Sequence, residues 1–442
     1  MITTPICDFV QAYASARPVR MHMPGHKGRG PLGFEALDIT EIDGADELYA
    51  PTGIIAESEA NAARLFGART FYSAEGSSLA IRAMLALAAA GGERPLVLAG
   101  RNAHRAFLSA AALLDMDVEW LHPAPGEAYH SCRMTPGAVD AALTRLGGRC
   151  RAVYVTSPDY LGHVADIAAL AGVCHDHGAL LVVDNAHGAY LKFLPGGSRH
   201  PIDLGADMCC DSDHKTLPAV TGAAYLHLRE GLDISPARVR EALALFGSSS
   251  PSWLILQSLD ACNRLLADYP AMLADFLPKL DALKARLAAR GWTLIGDEPM
   301  KLTLSARPFG WTGDALAESL AGSGIYSEFH DPDFLTLMPT PLNTDGELAR
   351  LEAALEAIPR QEPLPDAAPE YRAARAALSV RAASFAPRET LPVGACAGRV
   401  LAAPALSCPP CVPIAVCGEV IDAGIIERLR YYGIGACEVV RQ

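Results

Sequence analysis

Four short stretches hold the residues best suited to chemistry. In DSDHKTLPAVTG (211–222), Lys215 follows the largely apolar run 206–210, with Ser212 and His214 beside it. A buried ammonium is costly unless it is paired or neutral. A neutral lysine can form a Schiff base with a carbonyl. In LLVVDNAHG, Asp184 ends a run of apolar residues, and His187 follows three positions later. A carboxylate in that place needs a cation or several donors. In AEGSS (74–78), Gly76, Ser77 and Ser78 open a helical stretch. Bare N–H groups, the helix dipole and two hydroxyls there suit a phosphate. In RNAHRA, His104 offers a flat ring after another apolar strand.

Each stretch alone has a plainer reading. AEGSS suits a helix cap, Asp184 and His187 suit loop bonding, Lys215 suits the surface, and His104 suits a helix start. One ligand uses all four together. It carries a phosphate for the glycine–serine turn, a ring nitrogen for Asp184, a flat face for His104 and an aldehyde for Lys215. That ligand is pyridoxal 5′-phosphate (PLP).

The elements that must position these residues alternate. Strands are expected at 70–74, 95–100, 118–123, 151–157, 179–187, 206–212 and 222–228. Helices are expected at 78–90, 103–114, 138–146 and 167–178. Fully apolar strands alternating with helices indicate an α/β fold with a parallel or mostly parallel sheet. Such sheets bind ligands at the C-terminal ends of their strands. A helical stretch follows at 252–291, where Pro270 and Pro278 should break or kink it. Strand and helix alternate again over 293–359, and RQEPLPDAAPEY (360–371) reads as a linker. The tail is expected to be helical at YRAARAAL (371–378) and at GIIERLRYYG (424–433). The division expected is an arm (1–34), a large domain (35–292), a small α/β domain (293–364) and a C-terminal α+β domain (365–442).

The bulk numbers narrow the class. The chain has 442 residues, half hydrophobic and a fifth charged, with a net charge of −13. That charge argues against binding nucleic acid or anionic membranes. Residues 1–18 lack a long apolar core, and no apolar run is long enough to span a bilayer. A cytoplasmic location is the expectation. Twelve cysteines in such a chain should stay reduced. The CPPC at 408–411 has metal or redox spacing, but no second pair or nearby histidine completes a site. Free thiols and no metal are expected.

Longer stretches carry a resemblance. MHMPGHKG (21–28), DITEIDGADELYAPTGIIAESE (38–59), TSPDYLGHVADI (156–167), VDNAHGAYLKF (183–193) and SDHKTLPAVTGAAYLH (212–227) resemble the Orn/Lys/Arg decarboxylases. These belong to PLP fold type I, the aspartate-aminotransferase-like fold, with a seven-stranded type of sheet. CPPCVPIAVCGEVI (408–421) resembles their tail element. The chain looks like the short form, without the N-terminal wing domain.

The resemblance implies roles. Lys215 would hold the cofactor as an internal aldimine, which an amino acid converts to an external one. Asp184 would pair with the pyridine nitrogen, and His104 would stack on the ring. Gly76, Ser77, Ser78 and Ser212 would hold the phosphate. His187 would lie near the cofactor, and His214 beside the Schiff base. Ser249 and Ser250 resemble a stretch that reaches the partner subunit's cofactor. A homodimer or larger homo-oligomer with sites at the subunit interface is implied, as is a place in polyamine metabolism. The implied reaction is decarboxylation of arginine, lysine or ornithine to an amine and CO2. Glu419, Glu328, Asp331 and Asp46 are candidates to meet the substrate's distal cation. Cys411, Cys417, Asn185 and the YSAEGSS turn depart from the family pattern and bear on substrate identity. An aminotransferase or lyase on another amino acid, or a non-catalytic regulatory protein of the same fold, are the alternatives.

Overall fold

The computed structural model describes residues 2–91, 94–406 and 410–441. Seven strands form the main sheet: β1 (Arg69–Ser73), β2 (Leu96–Gly100), β3 (Asp117–Leu121), β4 (Cys150–Thr156), β5 (Leu180–Asp184), β6 (Met208–Asp211) and β7 (Ala224–Leu228). Their order is β1-β7-β6-β5-β4-β2-β3. The β2/β3, β2/β4 and β5/β6 pairs are parallel, whereas β7 runs antiparallel to both β1 and β6. The mostly parallel α/β sheet expected from the apolar strands is therefore present. β2, β4 and β5 are buried along nearly their whole length, as strands covered on both faces must be.

The chain divides into two compact units. The first comprises residues 2–88 with 182–273. It contains β1, β6, β7 and the C-terminal end of β5, with helices Ile54–Phe66, Gly76–Ala88 and Trp253–Leu266. Helix Ile54–Phe66 starts on a dense cap. Asp46 accepts backbone N–H bonds from Glu47, Thr52, Gly53, Ile55 and Ala56 at 2.8–3.3 Å. Burial alone would raise its pKa. The backbone donors of Thr52 and Gly53 outweigh that and hold the carboxyl below its usual range.

The second unit comprises residues 89–181 with 274–441. It contains β2–β4 and a four-stranded antiparallel sheet of order β10-β11-β9-β8. Those strands are β8 (Thr293–Ile295), β9 (Leu302–Ser305), β10 (Phe329–His330) and β11 (Phe334–Leu337). A two-stranded ribbon joins β12 (Arg388–Pro392) to β13 (Ala436–Val440).

The stretch 252–291 breaks just before Pro270, between helices Trp253–Leu266 and Tyr269–Ala289, as expected. The second helix runs through Pro278 without a break, so one missing backbone N–H is not enough to end 21 residues of helix. One expectation fails. YRAARAAL is extended rather than helical. Ala377 N–H donates to Gly418 C=O at 2.8 Å, and Val420 N–H donates to Arg375 C=O at 2.9 Å. Pairing with the tail overrides the helix propensity of alanine and arginine. The helix expected at 424–433 is present as Ala423–Tyr431.

Candidate active site

Lys215 lies in a four-residue helix, Asp213–Thr216, that begins as β6 ends. Its Nζ is 3.1 Å from His187 Nε2. His187 reaches it because β5 runs parallel to β6, with Asp184 opposite Cys210. Asp184 closes β5 and is buried. Its Oδ1 accepts the Ala186 backbone N–H at 3.2 Å. His214 donates from Nδ1 to Ala223 C=O at 2.9 Å, which fixes its ring. A neutral ring in that tautomer carries its lone pair on Nε2.

The glycine–serine turn lies in the same unit. Gly76 has φ +69°, where a side chain is disfavoured, and its N–H donates to Gly222 C=O at 2.8 Å. Helix Gly76–Ala88 starts there. Ser212 Oγ donates to Ser77 Oγ at 2.7 Å, tying the start of that helix to the lysine segment. Ser78 is half-buried in its first turn. Ser248 N–H donates to the Glu75 carboxylate, so the GSSS stretch touches this chain's own turn, with Ser249 and Ser250 exposed.

The first unit thus brings together Lys215, His187, Asp184, His214, Ser77, Ser212 and Gly76. The set fits PLP: an amine, a buried carboxylate at a strand end, and a left-handed glycine with hydroxyls at a helix N-terminus.

The remaining residues lie in the second unit, apart from Asp46, which is the helix cap described above. His104 caps helix Arg105–Leu113, its Nδ1 accepting the Ala106 N–H at 3.1 Å. Glu328 accepts from the Tyr160 hydroxyl at 2.9 Å. Asp331 is buried beside His130 at 3.5 Å, and burial pushes its pKa up to about 7. Glu419 is buried against Arg101, with both carboxylate oxygens 3.2–3.3 Å from the guanidinium. It also accepts the Val416 N–H at 2.8 Å. Glu419 is therefore already engaged within the fold. No two of the described cysteines are joined in a disulfide. Cys408 and Pro409 of the CPPC stretch lie outside the described residues. No helix among the described residues is long and apolar enough to cross a membrane.

Reading the sequence passes over one cluster. Asp211, the first residue of DSDHKTLPAVTG, is fully buried and accepts three hydrogen bonds. They come from Asn185 Nδ2 at 2.6 Å, His200 Nε2 at 3.0 Å and His227 Nε2 at 3.2 Å. Burial would raise its pKa, but the two imidazoles hold it well below the carboxylate range. Burial lowers the pKa of His227, despite the carboxylate beside it. Asp213 is buried too, with neither oxygen bonded among the described residues. Burial, then the neighbouring Asp211 charge, raises its pKa well above the usual value. The signal available was an acidic residue closing a fully apolar strand, which demands a partner.

Known proteins match the chain over most of its length. The family model for the Orn/Lys/Arg decarboxylase major domain matches residues 4–292. An arginine decarboxylase of Bacillus subtilis is 30% identical over 97% of this chain and 92% of that protein. Among solved structures, lysine decarboxylase A of Pseudomonas aeruginosa superposes with a TM-score of 0.80 at 18% identity. That match covers 99% of this chain and 80% of the other. Alanine–glyoxylate aminotransferase of Nostoc superposes with a TM-score of 0.55 at 17% identity, over 69% of this chain and 86% of the other. On these matches the chain belongs to the Orn/Lys/Arg decarboxylase family and is a decarboxylase.

Proposed function

We propose that the chain is a PLP-dependent decarboxylase of a basic amino acid, with arginine the first substrate to test. The observation that carries this reading is the approach of Lys215 Nζ to His187 Nε2 at 3.1 Å, in the unit that holds Asp184 and the Ser77–Ser212 pair. Near-full-length similarity to proteins named arginine decarboxylase supports the choice of arginine.

Lys215 would hold the cofactor covalently, and Ser77, Ser78, Ser212 and the N–H groups after Gly76 would hold its phosphate. When bound, PLP supplies an electron-poor ring that accepts the pair released as CO2 leaves. Asp184 would keep a proton on the ring nitrogen, placing fixed negative charge where it favours the electron-accepting form. His187 would hold the Lys215 amine in place. His214, its ring fixed on Ala223 C=O, would exchange a proton through Nε2. The stacking role of His104 rests on the family resemblance. So does a homodimer with sites at the subunit interface.

The test has two parts. Borohydride reduction of PLP-loaded protein, followed by peptide mapping, should place the adduct on Lys215, and Lys215→Ala should lose both adduct and turnover. Incubation with arginine, lysine, ornithine and neutral amino acids should give CO2 and an amine from a basic substrate. A keto acid product, or an adduct on another residue, would overturn the reading.

A further inference from the structure

Asp211 bridges the two strand ends that carry the chemistry. Asn185, which donates to it, directly follows Asp184, and Ser212, which follows it, opens the segment of Lys215. A backbone bond from Asn185 N–H to Cys210 C=O at 3.0 Å runs beside this contact. Behind the carboxylate, His200 and His227 both donate to its other oxygen, Oδ2. Their rings cross at 90° with centroids 5.3 Å apart, and Phe66 packs on both. Thr70 Oγ1 lies 2.9 Å from His227 Nδ1, so that ring is set at both ends.

We infer that Asp211 is a positioning residue that holds the ends of β5 and β6 in fixed register, and with them the spacing between Asp184 and Lys215. The proposal rests on the PLP-dependent reading above. Asp211 acts through Asn185 on one side and the backbone of Ser212 on the other. A buried carboxylate with three converging donors is rigid because losing any one leaves a costly unpaired group.

The same cluster has a second chemistry. Donor atoms of His200, Cys209 and Asp211 all lie within 4.8 Å of one another, close enough for one cation. A metal-bound histidine almost always donates its other ring N–H to a partner. His200 Nδ1 is buried and has none among the described residues. The hydrogen-bonded clamp accounts for the arrangement better, and the metal becomes an outcome of the test.

The experiment uses full-length PLP-loaded protein, with wild type as control. Asp211→Asn and His200→Phe are compared with His200→Gln, whose amide can replace the Nε2–H donor. Circular dichroism confirms folding. Asp211→Asn and His200→Phe should retain PLP less tightly and shift the pH titration of the bound cofactor's visible band. They should also lower kcat by on the order of tenfold to a hundredfold, with KM changed less. His200→Gln should restore most of each property. If Asp211→Asn does not fold, Asn185→Ala, which removes one arm, carries the same measurements. Wild-type band, titration and kcat in the folded variants would overturn the clamp. So would stoichiometric zinc in wild type that Cys209→Ala and His200→Gln both abolish. A wild type without a lysine-bound cofactor would instead overturn the functional reading.

Discussion

Lys215 Nζ and His187 Nε2 stand 3.1 Å apart, joined across two neighbouring parallel strands. Only one of the pair can hold the shared proton, and the contact ties the amine to the imidazole. Replacing His187 by alanine should lower kcat by on the order of 10²-fold and weaken PLP retention. His187→Gln, which can still accept from the amine, should lose less. Steady-state kinetics and the visible spectrum check both.

Asp46→Ala leaves five backbone N–H donors without their carboxylate acceptor at once. The expected loss is about 2 kcal/mol of stability, with helix Ile54–Phe66 fraying first. Because the folded-state pKa is depressed, Asp46 stabilises the fold above its unfolded-state pKa. That contribution is lost as pH falls through the folded value. The deficit of the variant should be full at neutral pH and shrink below about pH 4. Urea unfolding as a function of pH measures it.

Asp213 behaves oppositely, since burial raises its pKa. Its folded form keeps a proton that its unfolded form releases, so it costs stability as pH rises above about 4. Asp213→Asn removes that ionisation. The gap between variant and wild type should open in favour of the variant with rising pH, by at most about 1.4 kcal/mol per pH unit. Thermal unfolding of both proteins across the range tests the sign.

Arg101 and Glu419 form a buried ion pair with side chains 1% and 7% exposed. Glu419→Ala strands the guanidinium and should cost about 3–5 kcal/mol, whereas Arg101→Met with Glu419→Leu should recover most of it. A double-mutant cycle by urea unfolding separates the pair from its surroundings.

Much of the main sheet was legible because its strands are short apolar runs. VYVT in β4 and LLVVD in β5 have no other sensible place. The lysine, Asp184, His187 and the glycine–serine turn were legible because their residue types sit at strand ends. The Asp211 cluster was not. Its histidines come from a loop and from β7, and nothing local in DSDHK says that both aspartates are buried. YRAARAAL failed for a related reason: its alanines favour a helix, while its partners near Gly418 lie some forty residues onward. Propensity sees the segment and not what it meets.

The Arg101–Glu419 pair also bears on how the polypeptide matures. Its two members are 318 positions apart in sequence, and Arg101 further donates to Pro413 C=O at 2.9 Å. During synthesis the end of β2 emerges from the ribosome long before its counter-ion does. A nascent chain shorter than about 419 residues therefore holds a guanidinium that must stay hydrated, leaving that corner unfinished until the final stretch arrives. Trimming the last segment would reproduce that incomplete state in the mature molecule.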